Sequence, residues 1–475
     1  MITISRRLAL QMRIVFRKAL SIRRGIAPAV CFTTGPVGMR VRAKSGDAAV
    51  EYHQPGDLPP EQILAPFDLL ADVEARRDDP VELEVSAERR VAARWRDGSV
   101  PQITQYDAPA TPKTNDFPSA PETFTENPPE LLRALHEAVQ TTDPAPIRFA
   151  TDHIQLRGAS GQIAATDGRQ ILVQSGFEFP WDDDLLIPRT MFFGCRELPE
   201  DQPVFVGRTE KWVTVRIGPW TIFLCINEEG RFPDVQSHVP RTDAAIARFQ
   251  VTPADAEFLA KNLAKLPGDD AYNLPVTMDL NGHVVVRGKS ADQELPTELI
   301  LTGTTLSGEP VRVNTNRHFL GRAMVLGFRD VYVTNPNTPV LCCDDRRQYA
   351  WAILEPKSAI APSPDAIRIE SQQPGAEVQR PQTRTRKRKV PMSEPKTNEN
   401  GRPKSTRRRR TSVGCKAGHD VVTALIDQAE AVRASLRESL AKTGELISSL
   451  KRHRKQSKAV RTALATLHEL QPAGK

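Results

Sequence analysis

Apolar residues along the chain change their spacing several times, and the changes divide it into units. Alternation over residues 2–5 predicts a strand. Leu8, Met12, Val15, Phe16 and Ala19 then recur at helical intervals and predict a helix over 6–22. Three short strands follow, then a predicted helix over 61–75 and strands over 81–85, 90–96 and 101–106. Asp97-Gly98 suits a tight hairpin between the last two. Residues 108–128 are rich in Pro, Thr and Ser without periodicity and read as a linker between a first unit, 1–107, and a second, 129–243. The second unit opens with a helix over 129–140. Strands over 147–156, 163–166 and 171–174 come next, then a short helix after Pro188 and strands over 204–207, 212–217 and 221–226. A third unit, 244–357, runs strand 247–251, helix 253–266, strands 276–280, 284–288 and 298–306, helix 315–326 and a strand pair ending at 349–354. The shared order of elements predicts a threefold repeat of units of about 110 residues, although few identities link them.

Beyond Pro356 the pattern changes. Residues 358–416 are dominated by Pro, Ser, Thr, Gln and Arg, with basic clusters at 384–389 and 407–410, and are expected to be disordered. A heptad appears over 417–470: Val422, Ala429, Leu436, Leu450 and Leu464 at one position, Leu425, Val432, Leu446, Val460 and Leu467 at the other. That predicts a long coiled-coil helix, or a helical hairpin folded at Gly444.

Length and charge sharpen this picture. A chain of 475 residues predicts three or four domains. Residues 361–475 hold 25 Lys/Arg against 11 Asp/Glu, a net of +14, whereas the first 360 hold 40 against 47, a net of −7. An acidic body with a basic tail points to a polyanionic partner for the tail. Six scattered cysteines, with no CxxC pair, indicate neither a disulfide framework nor a zinc site and fit a reducing cytoplasm. No apolar run is long enough for a membrane span. Residues 1–46 lack Asp and Glu and carry ten Lys/Arg, as a mitochondrial transit peptide also does. They continue into strand-like sequence without a change of character, so the segment is expected to belong to the folded protein.

Catalytic patterns are missing: there is no phosphate loop, dinucleotide fingerprint, nucleophile elbow or HExxH, and the nine histidines are scattered. Asp182-Asp183-Asp184 resembles a hard-cation site but fits a solvated loop better. Enzyme chemistry, a metal and a cofactor are therefore not expected. The informative signal is basic. On the first helix Arg6, Arg13, Arg17 and Arg24 fall within about 40° of one another, opposite the apolar face. Arg133, Arg189, Arg196, Lys261, Lys265, Arg317 and Arg322 lie on the other predicted helices. Together they form a candidate lining that meets phosphates without reading bases.

Four segments carry a resemblance. Ala165-Thr166-Asp167-Gly168-Arg169, Leu186-Ile187-Pro188-Arg189, Gly230-Arg231-Phe232-Pro233-Asp234 with Val239-Pro240, and Val313-Asn314 leading into Arg317-His318-Phe319-Leu320 occur in the order of the bacterial DNA polymerase III beta subunit, the sliding clamp. Over residues 1–356 the chain resembles that family. The resemblance implies an α+β fold of three clamp domains, each with two helices packed on antiparallel sheet. It also implies two chains joined head to tail as a ring around double-stranded DNA, a DNA polymerase and a clamp loader as partners, and no catalysis. A family groove for short peptides is carried over to Thr166, Gly168, Arg169, Ile171, Pro240, Ile353 and Leu354. The chain departs from the pattern at Arg169-Gln170-Ile171 and at Ala352-Ile353-Leu354-Glu355-Pro356, and Glu355 should discourage an acidic peptide. The long linker and the tail suggest a divergent paralogue. Two readings result: a cytoplasmic, DNA-encircling processivity factor whose coiled coil contacts an unidentified protein, or a clamp-fold scaffold that does not encircle DNA and binds it mainly through the tail. A nucleic-acid enzyme is the least supported, since no acid, base or metal set is visible.

Overall fold

In strand β1 (Ile2–Ser5) both isoleucines face inward. At its end the Ser5 side chain accepts a hydrogen bond from the Leu8 amide, which starts helix α1 (Arg6–Ala19). Leu8, Met12, Val15 and Phe16 bury one face of α1. The computed structural model describes residues 1–22, 27–86, 90–109, 117–270 and 272–371. Arg24, Cys415, both basic clusters and the heptad segment lie outside the described residues.

The first module continues with β2 (Ala29–Gly35), β3 (Gly38–Ser45), β4 (Ala48–Gln54), β5 (Glu61–Pro66), α2 (Asp68–Val73), β6 (Pro80–Val85), β7 (Arg90–Asp97) and β8 (Val100–Asp107). Its strands make two layers, β5-β2-β3-β4 and β1-β6-β7-β8. The second module repeats the plan with β9 (Thr125–Asn127), α3 (Glu130–Val139), β10 (His153–Arg157), β11 (Gln162–Thr166), β12 (Gln170–Ser175) and β13 (Asp184–Pro188). A 3-10 turn (Met191–Gly194) stands where the first module has α2, before β14 (Val204–Arg208), β15 (Trp212–Ile217) and β16 (Trp220–Cys225). The third has β17 (Ala247–Gln250), α4 (Pro253–Asn262), β18 (Pro275–Asn281), β19 (His283–Gly288), β20 (Thr297–Leu301), an additional β21 (Thr305–Gly308), β22 (Val311–Asn316), α5 (Arg317–Val325), β23 (Asp330–Val333), β24 (Val340–Cys343) and β25 (Arg347–Trp351). One more strand, β26 (Ile367–Glu370), follows.

Sheets run through both module boundaries. Strand β4 pairs with β16 (Tyr52 opposite Trp220), and β12 pairs with β25 (Gln170 opposite Trp351), both antiparallel. Each joint thus matches the fourth strand of one module to the eighth strand of the next. The outcome is an eight-stranded and a nine-stranded sheet, with a four-stranded sheet at one end of the series and a five-stranded sheet at the other. One apolar cluster fills the first two modules; a second fills the third and takes in Leu172 from β12.

Several elements differ from the sequence reading. The helix expected over 61–75 is a strand followed by a single short helix, because Pro66 has no amide for an interior helical bond and Ile63 and Ala65 alternate inward. The strand expected over 147–156 begins only at His153; Ile147, just after Pro144 and Pro146, is fully exposed. Thr315 and Asn316 end β22, and the Asn316 side chain caps α5 by accepting from the His318 amide. Strand β13 is buried on both sides, so it lacks the alternation that marks a strand. Within the segment expected to be disordered, residues 367–370 form β26.

Candidate nucleic-acid interface and peptide groove

The helices form a continuous row. Helices α1 and α2 pack together, and α1 meets the second module at the 3-10 turn, where Lys18 Nζ donates to Gly194 O (3.3 Å) and Thr190 Oγ1 to Ala19 O (3.2 Å). That turn packs on α3. Gly194 lies so close to the His136 ring that a Cβ there would overlap the imidazole. Helix α5 reaches the end of α3 through Arg322, whose Nη2 donates to Glu137 O (2.9 Å) and Thr141 Oγ1 (2.8 Å), and α4 packs on α5.

Within this row the predicted cations separate into two groups. Arg6 is 7 % exposed and donates to Val73 O and Arg96 O (both 2.9 Å) and to Glu74 O (3.3 Å). Arg317 is 3 % exposed and donates to Leu263 O, Leu266 O, Pro267 O and Leu274 O. Arg322 bonds the last carbonyls of α3, and burial lowers its pKa, as it does that of Arg317, although an arginine stays charged. Each of the three guanidiniums caps a helix C-terminus: Arg6 that of α2, Arg317 that of α4 and its 3-10 extension, Arg322 that of α3. Terminal carbonyls have no partner within their own helix and carry negative partial charge, so a buried cation suits them. These three residues are therefore removed from the lining expected from the sequence.

The others stay accessible to different degrees. Arg17 and Arg196 are exposed, and the Arg17 side chain has no hydrogen-bond or ion-pair partner among the described residues. Arg133 is exposed, 3.8 Å from Glu137; Lys261 pairs with Glu257 at 2.5 Å; Lys265 donates to Asn262 Oδ1 at 3.3 Å. Arg13 is partly covered by its ion pair with Glu74, and Arg189 is half-buried with its Nε unpartnered. Lys18 was not in the predicted set, since its helical angle lies off the stripe. It nevertheless lines, with Arg13, Arg17 and Met191, an open depression of about 570 Å³ at the seam between α1 and the second module. His136 lies beside it, its pKa lowered by burial and by the nearby charges of Lys18 and Arg322. Asp183 of the acidic triplet pairs with Arg208 at 2.9 Å.

A second site forms at the joint between β12 and β25. Asp167 Oδ1 accepts from the amides of Arg169 (2.8 Å) and Gln170 (2.9 Å), and buried Thr166 donates its hydroxyl to Gln170 O (2.7 Å). Gly168 closes this turn at φ +86°, a conformation that favours glycine. Arg169 is exposed, its guanidinium 4.2 Å from the centre of the Tyr272 ring. Ile171 packs in a small apolar cluster with Ala164, Val173, Val235 and Phe232; the loop that supplies the last two ends at half-buried Pro240. Across the joint, Ala352 N donates to Arg169 O (2.7 Å), Ile353 bridges to Thr315 and Leu354 N donates to Asn314 O (2.8 Å). The fold thus brings Thr166, Gly168, Arg169 and Ile171 beside Ile353 and Leu354, with Thr166 serving the turn itself. The Glu355 side chain is exposed next to them.

No protein-family model and no curated protein matches the sequence. Solved structures do match. A Pseudomonas aeruginosa DNA polymerase III subunit beta sliding clamp bound to griselimycin is 15% identical, with a TM-score of 0.61 over 74% of this chain and 98% of that one. The Bacillus subtilis DNA polymerase sliding clamp is 16% identical (TM-score 0.61, 74% and 98%). The beta subunit of the DNA polymerase of Streptococcus pyogenes is 13% identical (TM-score 0.62, 74% and 99%). Three modules of paired sheets, joined edge to edge and faced by a row of helices, give this chain the sliding-clamp fold.

Proposed function

We propose that the protein is a non-enzymatic DNA sliding clamp. Two copies close head to tail around duplex DNA, hold it through exposed cations on the helix row and tether a DNA polymerase or another replication partner at the β12–β25 groove, in the cytoplasm, after opening by a clamp loader. The observation that carries this reading is the repeated joint: two of the three fourth-strand edges are already matched to eighth strands, and the strands left over, β8 and β20, are complementary in kind. Contacts to phosphate alone release counterions and read no base, so a closed ring slides. The groove residues proposed to hold a peptide are Gly168, Arg169, Ile171, Pro240, Ile353 and Leu354 around the turn fixed by Thr166. Arg169 and Glu355 give that groove one cation and one anion.

The test is retention on DNA. The protein loaded onto circular duplex should resist dilution and be lost when a nuclease linearises the circle; equal retention on linear DNA with free ends overturns the ring. One observation favours a second reading, a clamp-fold scaffold that does not encircle DNA: β26 lies along the edge of β20. Deleting residues 372–475 separates the two, because a scaffold binding through its basic tail loses most of its affinity and salt dependence, whereas a ring keeps circular retention.

A further inference from the structure

We infer that strand β26 is a built-in mask on the joining edge of this chain, holding on β20 the place that β8 of a second copy would take. The inference rests on the ring reading above and adds to it a competitor that the chain carries itself.

Both internal joints are antiparallel and use a fourth strand against an eighth. By that rule, β20 and β8 are the edges available to a second copy. The edge of β8 is open: among the described residues it pairs only with β7, and Val100 and Ile103 are each 56 % exposed. The edge of β20 is not. Strand β26 runs parallel to it, Thr297 opposite Ile367 through Ile300 opposite Glu370, where neither β4 nor β12 carries such a strand. The chain arrives there by crossing the sheet. Ser358 Oγ accepts from Asn314 Nδ2 on β22 (2.8 Å), and Ile360 N donates to Thr277 Oγ1 on β18 (2.8 Å).

The fastening is strong at the ends and weak between them. Ile367 N donates to Pro296 O (3.0 Å) and Ser371 N to Ile300 O (2.9 Å). Ser371 is buried, its Oγ accepting from Thr302 N (2.9 Å) and its carbonyl from Thr302 Oγ1 (2.7 Å). Arg368 Nε lies 3.3 Å from Glu298 Oε2, while the other oxygen of that buried carboxylate takes Arg287 at 2.5 Å. The strand itself is four residues long, and all four are exposed. Such a strand can be displaced. It also competes within its own chain, at an effective concentration of order mM for a short tether, so it raises the apparent dissociation constant of the joint by the reciprocal of the unmasked fraction.

The experiment uses the full chain with a photoreactive benzoylphenylalanine in place of Ile103 on β8. Irradiation is followed by mapping of links to residues 297–301 in species of twice the chain mass, a readout that association elsewhere in the chain does not mimic. Ile369→Pro removes the amide that the ladder alternation aims at β20, between those of Ile367 and Ser371. Thr302→Ala is the milder variant and removes only the contacts of its hydroxyl with the Ser371 carbonyl and Oγ, keeping the amide bond to Ser371 Oγ. The expected result is sparse links in the parent, at least tenfold more in Ile369→Pro and an intermediate yield in Thr302→Ala, with cooperative unfolding retained in both. Links as abundant in the parent as in the variants overturn the mask and leave the ring standing. No links in any of the three, with the variants folded, overturn the mask and the ring together.

Discussion

The two ends of helix α1 carry the same residue to opposite fates. Arg6 and Arg17 are eleven positions apart, about 20° in helical angle, so they project on the same side of the axis. Yet Arg6 lies under the C-terminus of α2 and gives its donors to backbone carbonyls, while Arg17 stands exposed beside the seam with the second module. Angle fixes the direction in which a side chain leaves a helix. What stands there is decided by neighbours distant in the chain. The same contrast separates buried Arg317 from exposed Lys261 and Lys265 in the third module.

Removing the buried members is the strongest way to break this comparison. Arg317→Ala strands Leu266 O and Pro267 O, whereas Leu263 O and Leu274 O keep the backbone amides of Leu266 and residue 317. At roughly 1–3 kcal/mol for each orphaned buried group, partly relieved by water, the loss should be roughly 3 kcal/mol or more, read as a lower denaturant midpoint. Arg6→Ala should lose a similar amount, through Val73 O, Arg96 O and Glu74 O. If either variant unfolds at the parental midpoint but binds DNA more weakly, the division into capping and lining arginines is wrong.

The exposed members should behave inversely. Replacing Arg17, Arg133, Arg196 and Lys265 together by Ala should leave the unfolding free energy within about 0.5 kcal/mol per site. The dependence of log affinity on log salt should become shallower by up to about 0.9 for each phosphate no longer neutralised, equally for all DNA sequences. An unchanged salt dependence would place the DNA elsewhere.

A smaller effect sharpens the account of the seam. His136 faces Lys18 from α1 and Arg322 from α5, and its pKa is lowered, chiefly by burial, from 6.5. The unfolded chain therefore binds a proton in a range where the folded chain resists it. Stability is full above about pH 6.5 and falls as the pH drops from there toward the folded value, by at most about 1.4 kcal/mol per pH unit. His136→Gln should flatten this part of the stability profile; an unchanged slope assigns it to other groups.

The smallest expected effect concerns reactivity. Burial pushes the thiol of Cys195, next to the 3-10 turn, up to about 12, whereas Cys31 is partly exposed. Under native conditions a thiol reagent should modify Cys31 well before Cys195, since the thiolate is the reactive form. Early labelling of Cys195 would show that the α1 seam opens readily.

Much of the fold was legible because short-range chemistry specifies it. Ser5 caps its helix locally, Asp97-Gly98 makes its hairpin, and Asp167-Gly168 builds the groove turn from its own side chain and a left-handed glycine. Strand β13 lacks a strand's alternation because it is buried on both sides, whereas 61–75 splits into a strand and a short helix because Pro66 breaks the helical ladder and Ile63 and Ala65 pack inward from a sheet. Strand β26 was invisible because its four residues hold their place through the edge of β20, Thr302 and Glu298, not through a pattern of their own.

By itself the sequence determined most of the order of elements, the threefold plan and the basic face of the first helix, since each depends mainly on residues near one another in the chain. The tertiary structure alone decided which arginines are buried as caps, which sheet edges join the modules and which edge is covered. Those outcomes depend on carbonyls and strand edges brought together from distant parts of the chain, where burial sets whether a charge meets water, backbone or a partner.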